Sequence, residues 1–76
     1  MTDDALEMWV VYWSPRDYPE LFVARKWRIL PHELPMPTID MFTSTSLAEL
    51  RKLLPLGLVN IGRMEGDQPQ ILEVWT

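Results

Sequence analysis

Trp9-Val-Val-Tyr-Trp13, Ser14-Pro-Arg-Asp-Tyr-Pro-Glu20 and Leu21-Phe-Val-Ala-Arg-Lys-Trp-Arg-Ile29 follow one another and decide the fold. Aromatic and β-branched side chains suit a pleated, half-buried surface, whereas Pro15 and Pro19 cannot donate to a ladder and mark where pairing stops. The stretch predicts a β-hairpin. In its first arm the sets Met8/Val10/Tyr12 and Trp9/Val11/Trp13 are both apolar, so periodicity leaves open whether the strand is covered on both faces or shows an aromatic face. In the second arm Leu21/Val23/Trp27/Ile29 share a face with Arg25, against Phe22/Ala24/Lys26/Arg28/Leu30. The first of these sets is the better core candidate. Arg25 must then reach solvent along its stem or find a carboxylate.

Outward from the hairpin, Pro31-His-Glu-Leu-Pro-Met-Pro37 carries three prolines and predicts an extended connection. Thr38 to Thr43 can add a short strand at a sheet edge. Ser46 and Glu49 match a capping box, so a helix starts at Leu47, with Leu47, Leu50, Leu53 and Leu54 as its apolar stripe. Pro55 and Gly57 stop it. A helix of about nine residues is not stable alone in water and must lay its leucines on a sheet. Leu58 to Met64 and Ile71 to Trp75 read as a second hairpin around Gly66 and Pro69. These elements give an α+β fold in ββ(β)αββ order: a mainly antiparallel sheet of about four strands with one short α-helix on one face.

The 76 residues form a single domain, of which Met1 to Glu7 read as a flexible lead-in. So short a chain buries only about 60% of the surface it exposes unfolded, and large aromatic side chains are how it builds a core. With no cysteine there is no disulfide and no thiolate chemistry, which suits a reducing cytoplasm. The acidic start, Thr2-Asp-Asp-Ala-Leu-Glu7, lacks the basic and apolar regions of a secretory signal, and no apolar run approaches the roughly 20 residues of a membrane helix. Seven basic residues against eleven acidic ones leave a net charge of −4. That sign opposes non-specific nucleic-acid binding and favours a basic protein surface as partner, although solubility alone also accounts for it.

Catalysis needs a base with a partner and an orienting group, and His32 is the single histidine, in a proline-rich loop. Gly57, Gly62 and Gly66 are scattered and make no phosphate loop. Asp17 with Glu20 and Glu65 with Asp67 are the nearest carboxylate pairs, but they lie in turns, where Asp serves its own backbone. Neither has the alternating ligands of a calcium loop. No metal or cofactor is implied. Arg25, Lys26, Trp27 and Arg28 could stack bases and pair phosphates as single-strand binders do, or form an ordinary solvated strand face. Four tryptophans are more than so small a core takes easily, so Trp13 or Trp75, near strand ends, is expected to be partly exposed.

Met8-Trp-Val-Val-Tyr12, Pro15-Arg-Asp-Tyr-Pro19, Phe22-Val-Ala-Arg25, Leu47-Ala-Glu-Leu-Arg51, Pro55-Leu-Gly-Leu58 and Glu73-Val-Trp75 together resemble a set of short uncharacterised bacterial and prophage proteins. The resemblance spans nearly the whole chain and implies a stand-alone domain, without catalytic residues to carry over. In size and charge the chain is also similar to phage inhibitors of host defence, including anti-CRISPR proteins. The expected function is therefore a non-enzymatic acidic binding protein, an inhibitor occupying a basic surface, such as a nucleic-acid-binding one, of a host complex in the bacterial cytoplasm. Its contacts would be Asp17, Tyr18 and Glu20 in the first turn and Glu65 and Asp67 in the second, with Trp13 and Trp75 as anchors. The alternative is a small single-stranded nucleic-acid module using Arg25, Lys26, Trp27 and Arg28. Homodimerisation through a free strand edge is compatible with either.

Overall fold

The computed structural model describes residues 5–63 and 68–76. Four strands, β1 (Leu6–Trp13), β2 (Phe22–Ile29), β3 (Met36–Ser44) and β4 (Ile71–Trp75), form one sheet, with helix α1 (Leu47–Leu53) between β3 and β4 in the chain. The spatial order is β3-β2-β1-β4 and every neighbouring pair is antiparallel. The fold is α+β, as expected. A β1-β2-β3 meander carries the chain to one edge, and β4 returns beyond the helix to the opposite edge, beside β1.

The first hairpin is where its residues predict it, with Trp13 opposite Phe22 and Leu6 opposite Ile29. β1 starts two residues before the apolar run. Glu7 pairs with Arg28 in the ladder and its carboxylate lies 2.8 Å from Lys26 Nζ, so the lead-in does not extend to Glu7. In the connection, the Ser14 N–H donates to the Leu21 carbonyl and the Tyr18 N–H to the Pro15 carbonyl. Ser14 and Glu20 both take positive φ (51° and 61°), and the Glu20 N–H donates to Ser14 Oγ at 3.0 Å.

Opposed residues of an antiparallel pair share a face. Trp9, Val11 and Trp13 therefore lie with Lys26, Ala24 and Phe22 on one side, and Met8, Val10 and Tyr12 with Trp27, Arg25 and Val23 on the other. The core forms on the first side: Trp9, Val11 and Ala24 pack with Leu50 and Leu54, flanked by Phe22, Phe42, Leu47, Leu58 and Trp75. Trp9 and Phe42 stack with centroids 5.2 Å apart. This corrects the expectation that the set Leu21/Val23/Trp27/Ile29 is the better core side of β2. On the side that takes α1, the short Ala24 lies between Phe22 and Lys26, and Leu50 joins it in the core cluster. Val10, Val23 and Val74 are nonetheless buried on the other face, which accounts for the apolar character of both sides of β1.

Helix α1 keeps half of its expected cap. Ser46 Oγ accepts the Glu49 N–H at 3.3 Å, but the Ser46 N–H donates to Ser44 Oγ and the Glu49 carboxylate reaches Lys52 instead. Leu53 is 48% exposed, against the expected stripe. At about 100° per residue it projects roughly 60° to the side of Leu50, away from the line that Leu47, Leu50 and Leu54 make. The second hairpin also departs from expectation. Val59 and Thr76 exchange hydrogen bonds and the Ile61 N–H donates to Val74, but among the described residues only Asn60 forms a bridge, opposite Trp75, while Met64 and Gly66 lie outside the described residues. Beyond Ile61, Gly62 adopts φ 75° and gives its N–H to Asn60 Oδ1 at 2.8 Å, a local turn in place of a further ladder bond. β3 is an edge strand and longer than expected. It carries a bulge of Thr38, Ile39 and Asp40 opposite Lys26, held by Thr38 Oγ1, which donates to the Lys26 carbonyl and accepts the Asp40 N–H.

Candidate functional site

On the face opposite α1 the sheet carries a cleft of about 340 Å³. Its base follows from the β1–β2 register: Tyr12, Arg25 and Trp27 all project to the open side, on neighbouring rungs. Pro15, Arg16 and Asp17 of the hairpin connection form one wall, and Gln68 and Gln70, just before β4, also line it. The Trp13 N–H donates to the Gln70 carbonyl at 2.8 Å, which ties that segment to β1.

Electrostatically the cleft is rich in donors. Arg25 pairs with Asp17, an ion pair that is partly open to solvent. The route to a carboxylate that Arg25 required is thus supplied by the loop. Arg16 is exposed and forms no ion pair with any described residue. The Trp27 indole N–H is buried and finds no acceptor among the described residues. A buried donor left unpaired costs on the order of 1–3 kcal/mol, which the packing of Trp27 must offset.

The four residues of the basic run are parted by the pleat. Arg25 and Trp27 belong to the cleft, while Lys26 and Arg28 sit on the helix side. Lys26 lies 2.8 Å from Glu7 and 3.8 Å from Asp40. The Glu7 hydrogen bond foremost, helped by the charges of Glu7 and Asp40, raises the Lys26 ammonium above its ordinary pKa despite the opposing effects of burial and Arg28. That positive charge is already matched.

The residues expected to meet a protein are also separated. Trp13 is 42% exposed at the end of β1, held against Phe22 with ring centroids 4.6 Å apart. Tyr18 is half-buried and Glu20 exposed in the connection beside it. Asp17 is on the cleft wall. Trp75 is half-buried at the margin of the core, and its indole N–H donates to Glu73 Oε1 at 3.1 Å. Glu65 and Asp67 lie outside the described residues.

Glu73 is a further group that the sequence did not single out. Its carboxylate is buried on the helix side, where Arg51 of α1 donates through both Nε and a terminal nitrogen. Burial pushes its pKa up, but the hydrogen bonds from Arg51, Trp75 and Asn60 and the Arg51 charge outweigh this and hold it below the usual carboxylate value. In the cleft, Tyr12, Pro15, Arg16, Gln68 and Gln70 were likewise missed. The only signal for Tyr12 was its parity with Val10 on β1; the others come from loops, whose path no periodicity reports.

Among the described residues, no three His, Asp or Glu side chains gather as metal ligands, and no helix is long and apolar enough to cross a membrane. No family model matches the chain, and neither a curated protein nor a solved structure matches it.

Proposed function

We propose that this chain is a non-catalytic acidic binding protein that docks on a basic surface of a larger host complex, in the manner of small phage and prophage inhibitors. The observation that carries this reading is Trp13: a large indole, 42% exposed yet fixed against Phe22, at the end of the sheet next to an exposed Glu20. Rigid, partly exposed tryptophans are favoured interface anchors because they supply much area at little cost in side-chain freedom. The net charge of −4 would steer the encounter toward a positive partner, with a rate that falls as salt rises.

The test is retention of a bacterial protein by the immobilised chain, compared with its Trp13→Ala and Glu20→Lys variants at low and high salt. A partner whose binding weakens about tenfold or more in Trp13→Ala, and that elutes with salt, is the expected result. Retention indifferent to salt and to both substitutions overturns the reading.

A further inference from the structure

We infer that the open-face cleft is a binding site for a single nucleotide, with the base against the Tyr12 and Trp27 rings and the phosphate on Arg16 and Arg25. This goes beyond the protein-docking reading and uses another face, since Trp13 belongs to the helix side. Among the described residues the cleft offers two guanidinium groups against one carboxylate, and that carboxylate is already held by Arg25. A donor surplus calls for an acceptor-rich anion. Two aromatic side chains in the same cleft call for a planar group beside it, because any base presents a π-face to stack.

Size and charge choose the monomer. About 340 Å³ lies at the small end of ligand sites, and one arginine without an ion pair among the described residues matches one phosphate. A long strand would extend its remaining phosphates over a molecule of net charge −4. A proline-rich peptide, the other ligand that Trp and Tyr grooves take, would leave Arg16 without a counter-ion. Asp17 then acts as a competitor. It occupies Arg25 in the free protein and yields part of that guanidinium when phosphate enters.

Titration of the ¹⁵N-labelled full chain tests this, because its four tryptophans give separate indole N–H signals and Trp27→Phe assigns the relevant one. With adenosine or uridine monophosphate the Trp27 signal should move and saturate. Inorganic phosphate alone and the nucleoside alone should each need at least about tenfold more to move it. Arg16→Ala, an exposed loop change, should weaken the nucleotide about tenfold or more, and Asp17→Asn should strengthen it by freeing Arg25. Trp13→Ala should leave this titration unchanged, so that its outcome is independent of the protein-docking test. The inference is overturned by a folded protein whose Trp27 signal ignores millimolar nucleotide, or by a response that Arg16→Ala does not alter. Equally, tighter binding of a proline-rich peptide, or of a ten-nucleotide single strand by more than about tenfold over the monomer, assigns the cleft to another ligand and overturns it.

Discussion

Glu73 shows what one buried charge demands of its neighbours. It stands in β4 opposite Val11, on the side where the core forms, and is only 7% exposed. A lone carboxylate there would be severely destabilising; Arg51, Trp75 and Asn60 together make the charged form the favoured one. Because its folded pKa is lowered, its contribution to stability is present above the unfolded value of about 4.3 and is lost as pH falls through the folded value. Urea midpoints measured from pH 7 to pH 3 should therefore drop on the acid side, and Glu73→Gln should flatten that drop. Arg51→Met should lower the midpoint at pH 7 and shrink or reverse the acid-side drop, since a carboxyl that keeps its burial without its counter-charge is favoured in its protonated form. Of this cluster only Trp75 stood out in the sequence, and it did so as a possible anchor. Its N–H has an internal acceptor, which nothing in the spacing of Glu73 and Trp75 could reveal, because i and i+2 on any strand share a face whether or not they touch.

At the scale of the element, α1 depends on very little of its own surface. Seven residues cannot hold a helix in water, and Leu50, fully buried against Ala24 and Val11, is its main attachment. Leu50→Ala should cost about 2–5 kcal/mol, while Leu53→Ala, at an exposed position of the same helix, should stay within about 0.5 kcal/mol; chemical denaturation of both variants checks the contrast. The Ser46 cap and the Pro55 stop were legible because they are local chemistry between residues three apart or at a helix end. Which of four leucines is left outside was not legible, since the stripe is narrower than its apolar residues and only the docked sheet chooses among them. β2 makes the same point. Its boundaries are nearly those of the apolar run, yet the side that received the helix is the one with Ala24, which joins Trp9 and Val11 of β1 and Leu50 of α1 in one cluster.

Across the whole molecule, the sheet and the helix share one cluster, so neither can leave without exposing the other. Trp9 and Trp75 report that cluster from β1 and β4, while backbone ellipticity reports the strands. Urea unfolding followed by tryptophan fluorescence and by far-ultraviolet circular dichroism should give coincident transitions; a clear separation of the two would show that the helix or β4 detaches alone. The β3 edge bears on association. Pro37 and the Thr38–Asp40 bulge break the regularity of its first half, and Ile39, 99% exposed, stands at the bulge. Such an edge is poorly shaped for continuous pairing with a second copy, which leaves only Met41 to Ser44 as a regular template.

Local chemistry along the chain was enough to determine the first hairpin, the helix start and stop, the final strand and the α+β class, because alternation, capping and proline act between near neighbours. Tertiary structure alone decided which face of β2 meets the helix, that Glu73 is held by Arg51, and that Arg16 and Arg25 come together with Tyr12 and Trp27. Those choices depend on strand register and loop path, which bring residues distant in sequence to within a few ångströms. A pattern of side chains along one strand contains no record of what will be packed against it.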